Sequence, residues 1–297
     1  MDRRNVIRFP VRQIGGEPPK RPVNSGITKY IVCTAGAACG TAIMFYLIFA
    51  ASDSKSPQHP TLTGAYATQR GEHRCETLPD LSRVCLNTKT VVRYTFNQET
   101  RNVELVSGEA SFTVKSDEHR PFDLLSGGLL IHDLSTGFDV YKKLRSTLVT
   151  VTHGRVKVMA PIDSASLRKF NHAQAESAWK AAPEYHRFQQ VEFDEVTGML
   201  HERRTLTEQG LSQLLAWQTG FIDLNGRTIG EALEEFSRYQ PIENFKFQDE
   251  ALRAFRAGGL LQSTSLNDFL DSLEPVYQIH HTATTGADGN TVITLSR

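Results

Sequence analysis

Residues Tyr30 to Ala51 read YIVCTAGAACGTAIMFYLIFAA, a run without a single charged side chain. Coiled as a helix it is about 33 Å long, enough to cross the hydrocarbon core of a bilayer, so the first expectation is a membrane span over 30–51. A cleaved signal peptide fits less well, because the charged region ahead of the run is long and the run itself exceeds the usual signal core. A buried core helix fits less well still. Arg3, Arg4, Arg8, Arg12, Lys20, Arg21 and Lys29 precede the span against only Asp2 and Glu17. The positive-inside rule therefore leaves residues 1–29 in the cytoplasm and exports everything after Ala51. Within the span, Gly36 and Gly40 have the small-x-x-x-small spacing that lets two membrane helices approach closely, a candidate helix–helix contact for self-association.

Composition limits the rest. Lys+Arg and Asp+Glu are balanced at 33 each over 297 residues, so the basic footprint of a nucleic-acid binder is missing. At 39% hydrophobic and 22% charged, the chain has material for about two cored domains. A mean hydropathy of −0.34 excludes a multi-span membrane protein.

The short tail 1–29 holds Pro10, Gly15, Gly16, Pro18, Pro19 and Pro22, which deny it a helix beyond about two turns. Residues 52–60, SDSKSPQHP, read as a tether. From 61 to 169 short alternating runs are separated by turn residues, among them Val91 to Phe96, Val103 to Val106, Glu109 to Val114, Leu129 to Ile131, Phe138 to Val140, Ser146 to Thr152 and Arg155 to Met159. Turns are expected at Ser107-Gly108, Gly127-Gly128 and His153-Gly154. This is the grammar of an all-β sandwich or roll, mostly antiparallel.

Residues 170–216 read as a connector. Helix-forming composition surrounds Trp179, Phe188 to Phe193 looks extended, and Leu211, Leu214 and Leu215 share a helical face. The C-terminal part, 217–297, repeats a strand–helix–strand pattern. Gly220 to Leu224 leads to a capping box at Thr228 and Glu231, then to Ile229, Leu233 and Phe236 on one face and the strand Phe245 to Phe247. The second copy runs Gly259 to Leu261, a cap from Ser265 to Asp268, then Leu266, Leu270 and Leu273, then a strand at Tyr277 to Ile279. Two such βαβ units must pack together to bury their helix faces, giving a small α+β domain closed by a hairpin at Asp288-Gly289.

At this point the residues carry a likeness. Gly71-Glu72, Leu78-Pro79-Asp80 with Ser82, Leu86-Asn87, Arg101 to Phe112 with Gly108-Glu109-Ala110, Arg120-Pro121-Phe122, and Thr136 with Phe138-Asp139-Val140 together resemble the FecR family. Trp217, Gly220, Arg238-Tyr239 and Gly258-Gly259 are similar to the C-terminal module of those proteins, itself like the short signalling domains of TonB-dependent outer-membrane transducers. The resemblance implies a single-pass inner-membrane regulator with its C-terminal domains in the periplasm. Its implied partners are the signalling domain of such a transducer and an extracytoplasmic-function sigma factor. No catalytic residue and no cofactor is implied. The sequence also departs from the family. The tail has no Trp, the usual Asp-Gly-Ser turn reads Asp80-Leu81-Ser82, and Ser135 replaces the Gly of the usual Gly-Thr pair. The short tail keeps a second reading open, a membrane-anchored envelope-binding or structural protein without a sigma-factor role.

An oxidising periplasm makes Cys75 and Cys85 a candidate disulfide. With a three-residue loop at Pro79-Asp80-Leu81 the two face one another; with a two-residue Asp80-Leu81 turn, Cys75 opposes Leu86 and Cys85 points to the other face. Catalytic motifs are absent from the sequence: it has no phosphate-binding Gly-Lys-Ser loop, dinucleotide fingerprint, His-Glu-x-x-His helix or nucleophile elbow. His132, Asp133 and Ser135 alternate faces if they lie on a strand, which argues against a triad, and His280-His281 alternate likewise, which argues against a shared metal.

Overall fold

The computed structural model describes residues 61–134, 137–159, 179–287 and 291–297. The expected tail, membrane span and tether, with Gly36 and Gly40, lie outside the described residues. So do Ser135, Thr136, the Asp288-Gly289 turn and most of the segment from Ser164 to Trp179. Among the described residues no helix is long and apolar enough to cross a membrane.

The first part is built from β1 (Leu62–Ala67), β2 (Arg74–Thr77), β3 (Arg83–Leu86), β4 (Val91–Phe96), β5 (Arg101–Thr113), β6 (Phe122–Ser126), β7 (Leu129–Asp133), β8 (Gly137–Lys142), β9 (Ser146–His153), β10 (Arg155–Met159), β11 (Glu184–His186), β12 (Gln189–Asp194) and β13 (Leu200–Thr205). Two sheets share β5. One runs β1-β4-β5-β6-β7-β10-β11 and the other β2-β3-β5-β8-β9-β12-β13; every pairing is antiparallel except β5 with β6.

The runs 103–106 and 109–114, read from sequence as two strands with a turn between them, are therefore one strand that bends from sheet to sheet. The bend is at Gly108, whose φ is +85° and where an added Cβ would lie 2.6 Å from the Thr90 Cα. No L side chain fits there. The stretch read as connector likewise supplies β11, β12 and β13 to the sheets. Polar residues on both faces of β13 (Leu-His-Glu-Arg-Arg-Thr), all exposed, hide it from a periodicity reading.

Alternate residues of the two sheets face one apolar core. Phe96, Phe112, Phe122 and Phe138 lie at its centre among Val, Leu and Ile from both sheets. Phe112 and Phe138 stack with centroids 5.3 Å apart.

The chain then forms α1 (Glu208–Leu215), a 3-10 turn at Ala216–Thr219, β14 (Phe221–Asp223), α2 (Ile229–Tyr239), β15 (Ile242–Phe247), a second 3-10 turn at Glu250–Ala254, β16 (Leu260–Gln262), α3 (Leu266–Tyr277), β17 (His280–Thr285) and β18 (Thr291–Ser296). Helices α2 and α3 are each flanked by two strands. β14 pairs with β16, and β18 returns to lie between β15, in parallel, and β17. A separate core holds Leu233 and Phe236 of α2 against Phe269, Leu270 and Leu273 of α3.

The Thr228–Glu231 capping box is fully formed. Two details differ from expectation. Ser265 makes no side-chain cap, and residues 277–279 are not a strand: α3 continues through Tyr277, Gln278 turns left-handed with φ +56°, and the strand starts at His280.

Candidate functional site

The family-like residues sort into two buried clusters. The first fixes the hairpin between β2 and β3. Leu78 and Ser82 close a three-residue loop, Pro79-Asp80-Leu81, so Cys75 stands opposite Cys85 and the two are bonded. The Asp80 carboxylate accepts from the Ser82 hydroxyl at 2.6 Å and from the Arg101 guanidinium at 2.8 Å. Arg101 also donates to the carbonyls of Lys115 and Arg120, while its backbone N–H donates to that of Pro121, and its guanidinium lies over the Phe122 ring. Asp80 and Arg101 are both almost fully buried. This cluster ties loop 115–121 to the hairpin and is architectural.

The second cluster joins the two cored parts. On the second sheet, the residues that alternate with the core-facing ones form two rows across the strands: Ser111-Asp139-Thr150-Gln190-Arg204 and Glu109-Tyr141-Leu148-Glu192-Glu202. An outward row is ordinarily wet. Here Glu109, Asp139, Thr150 and Gln190 are each no more than 4% exposed. Gln190 donates to the Thr150 hydroxyl at 2.6 Å and accepts from Arg204.

The C-terminal end of α2 lies against this face. Arg238 pairs with Glu109 and, at 2.7 Å, with Glu235, and its guanidinium sits 4.2 Å from the Tyr141 ring centroid. Asn87 donates to the Glu109 carboxylate at 2.7 Å and to the Tyr239 hydroxyl at 3.0 Å. The last carbonyls of the helix are met from the β side: Thr88 donates to Arg238 O and Arg70 to Gln240 O. These are the carbonyls a helix end leaves without internal partners.

Trp217 and Gly220 frame the other side. Gly220 is the left-handed cap of the 3-10 turn, and an added Cβ would come within 2.9 Å of the His73 ring. Trp217 is buried but belongs to neither apolar core, and its indole N–H has no hydrogen-bond partner among the described residues. A cleft of about 490 Å³ adjoins the junction, lined by Glu109, Tyr141, Arg204, Trp217, Glu235 and Arg238 among others.

The electrostatics follow from burial. Loss of water, and then the neighbouring Glu109 charge, push the Asp139 carboxyl well above the usual carboxylate range, with Arg238 offsetting only part. Burial opposes the Arg238 charge, but Glu109, Glu235, Tyr141 and Tyr239 outweigh it and the guanidinium is held more firmly protonated than usual. Burial likewise raises Tyr239 and Tyr141, against the pull of Arg238.

The remaining sequence candidates are placed apart from this junction. Phe138 is in the β core. His132 contacts Asp123 at 2.6 Å and stacks on Trp179. His280 lies 3.2 Å from Glu274 and His281 lies 3.7 Å from Asp271, so each histidine faces its own carboxylate on α3. Among the described residues no group of three His, Cys, Asp or Glu side chains is arranged to hold a metal. Glu109, Arg238, Tyr239, Trp217 and Gly220 were visible as motif residues; Thr150, Gln190 and Glu235 carried no signal, and Asp139 only as the middle of Phe138-Asp139-Val140.

Comparison with known proteins gives this architecture its relatives. The family model described as FecR protein matches residues 64–157. Two crystal structures of a candidate anti-sigma factor from Parabacteroides distasonis ATCC 8503 superpose with a TM-score of 0.57 at 22% identity. One, at 2.50 Å, is covered over its full length by 80% of this chain, and the other, at 1.65 Å, over 98% of its length by 78%. No curated protein matches the chain. The likeness to the crystal structures covers far more than residues 64–157, so the shared fold includes part of the chain beyond the family match.

Proposed function

This chain carries a FecR domain, and from that premise we propose that it is an anti-sigma-factor-like regulator: a single-pass protein of the bacterial inner membrane that relays a signal from a TonB-dependent outer-membrane transducer to an extracytoplasmic-function sigma factor. In this reading residues 30–51 are the span, 1–29 the cytoplasmic segment that meets the sigma factor, and the C-terminal module the part that docks the transducer's signalling domain. The role is regulatory and needs no catalytic residue; it needs an interface and an element with two arrangements.

The observation that supports it is the junction itself. Glu109 of the FecR domain and Arg238 of the module are paired in a buried site, a direct polar contact that would serve to pass the effect of docking on the module to the FecR domain. The neighbours of similar fold are candidate anti-sigma factors, which agrees with the same class of role.

The test is affinity capture of the full-length chain from a lysate that retains envelope and cytosol, with mass spectrometry. Recovery of both a TonB-dependent transducer and a sigma factor supports the relay. Recovery of a transducer alone removes the sigma-factor half. Recovery of neither moves the chain to an anchored envelope-binding or structural role.

A further inference from the structure

The module junction holds more acid than base. Glu109 on β5 and Glu235 on α2 pair with Arg238 on α2, Arg227 lies 3.6 Å from Glu235, and Asp139 on β8, whose register partner Ser111 is two residues from Glu109 on the same face, interacts electrostatically with Glu109 and Arg238. Ionised throughout, this set would keep an uncompensated negative charge in a site whose carboxylates at Glu109 and Asp139 are almost fully buried, an arrangement proteins avoid by neutralising a group. Asp139 is the group so placed. It is 2% exposed, and its Oδ2 has no hydrogen-bond partner among the described residues.

We propose that the junction is a proton-coupled latch: the module closes on the FecR domain with one proton held by the Glu109 and Asp139 carboxyl pair, and gives that proton to water when it lifts away.

A neutral Asp139 can donate to Glu109 and leave that carboxylate its ion pair with Arg238. An ionised Asp139 would set two carboxylates against the guanidinium that Glu235 also claims. The other groups facing the pair do not supply a counter-charge. Asn87, Tyr141 and Tyr239 are neutral, as are the row neighbours Ser111 and Thr150. Arg204 keeps its charge but stands three strands away along the row, and Lys143 is paired with Glu192. The upward displacement of the Asp139 pKa by burial and by Glu109 agrees with this assignment. The adjoining cleft of about 490 Å³ gives water a route to the edge of the junction.

The closed arrangement is also poised to open. It leaves Trp217 Nε1 buried without a partner among the described residues, a cost that hydration removes.

The sign follows from linkage. The closed state binds one proton more than the open state, in which Asp139 is an ordinary exposed carboxylate. Closure is therefore favoured at low pH. Between the ordinary aspartate value of about 4 and its raised value, the closing constant falls by up to tenfold per pH unit. The inference does not depend on which partner the module docks.

The test uses the full-length chain with Trp179→Phe, which leaves Trp217 as the sole tryptophan of the two. Emission is followed from about pH 5 to 9 alongside far-ultraviolet circular dichroism. A red shift with rising pH at constant secondary structure is expected. Asp139→Asn, neutral at every pH and still a donor to Glu109, is expected to stay blue-shifted throughout. A parent without a shift, or an Asp139→Asn variant that shifts as the parent does, overturns the latch. Should Asp139→Asn not fold, hydrogen exchange of the α2 amides in the unsubstituted chain decides: opening constants, corrected for intrinsic exchange, that rise with pH support it, and flat ones refute it.

Discussion

Arg238, near the end of α2, pairs with Glu109, at the bend of β5, across 129 residues of sequence. The pair is the centre of the contact between two parts that each have their own core, and both side chains are largely buried. Removing one member of such a pair leaves the other as an unpaired buried charge, which costs about 3–5 kcal/mol. Arg238→Ala should lower stability by that order and split one cooperative urea transition into two as the module uncouples. Arg238→Lys should rescue little, because an ammonium cannot reach Glu109 and Glu235 as a planar fork while lying on Tyr141. A single unshifted transition in Arg238→Ala would show that the apolar contacts, not the ion pair, couple the two parts.

The bond between Cys75 and Cys85 closes a loop with a sequence separation of 10. Loop-closure entropy for a ring of that size is worth about 2–3 kcal/mol. Replacing both cysteines with alanine should lower stability by that amount, and reduction of the parent should have the same effect on its denaturation midpoint. Thiol labelling in denaturant before reduction should leave both residues unlabelled; labelling of both would refute the bond.

How much of this was legible in the sequence depended on distance along the chain. The Thr228–Glu231 capping box was readable because its reciprocal bonds span three residues and need nothing else. The Cys75–Cys85 facing was readable only as one of two registers, since loop length decides register and Leu81 does not announce its left-handed turn. Gly108 was misread as a turn because a glycine between two apolar runs looks the same whether the chain reverses or bends into a second sheet. The buried outward row defeated the periodicity argument more deeply. Asp139, Thr150 and Gln190 occupy positions that alternation assigns to solvent, yet each is almost fully buried. Arg238 and Glu109 were both visible as motif residues, but nothing local joins them.

Leu81 sits at the last position of the β2–β3 loop with φ +69°, a conformation costing a non-glycine residue about 1–2 kcal/mol. Its side chain is 73% exposed, so little packing is lost on removing it. Glycine relieves the backbone but adds freedom to the unfolded chain, which cancels part of the gain. Leu81→Gly should therefore be stabilising by about 0.5–1 kcal/mol, read as a rise of roughly 2 °C in Tm. A fall in Tm would mean that Leu81 makes contacts its exposure does not reveal.

Thr228 and Glu231 start α2, the helix that carries Arg238, so the cap bears on the junction from the opposite end. The Glu231 carboxylate accepts from the Thr228 N–H at 2.7 Å and the Thr228 hydroxyl accepts from the Glu231 N–H at 3.2 Å. Thr228→Ala removes one half of this exchange and should cost about 1 kcal/mol. The Thr228 amide, against a smaller opposing effect of burial, holds the Glu231 carboxyl below the usual glutamate range, with the Thr228 hydroxyl, Arg227 and Arg256 adding to it. A group whose pKa is depressed on folding stabilises above its unfolded value and loses that contribution as pH falls through the folded one. The deficit of Glu231→Gln should accordingly be full at neutral pH and shrink as pH drops below about 4, where the parent's own carboxyl becomes protonated. Urea titrations of parent and variant at pH 7 and pH 3 measure it, and a deficit equal at both would assign the cap's stability to the hydrogen-bond geometry alone, with no part from the charge.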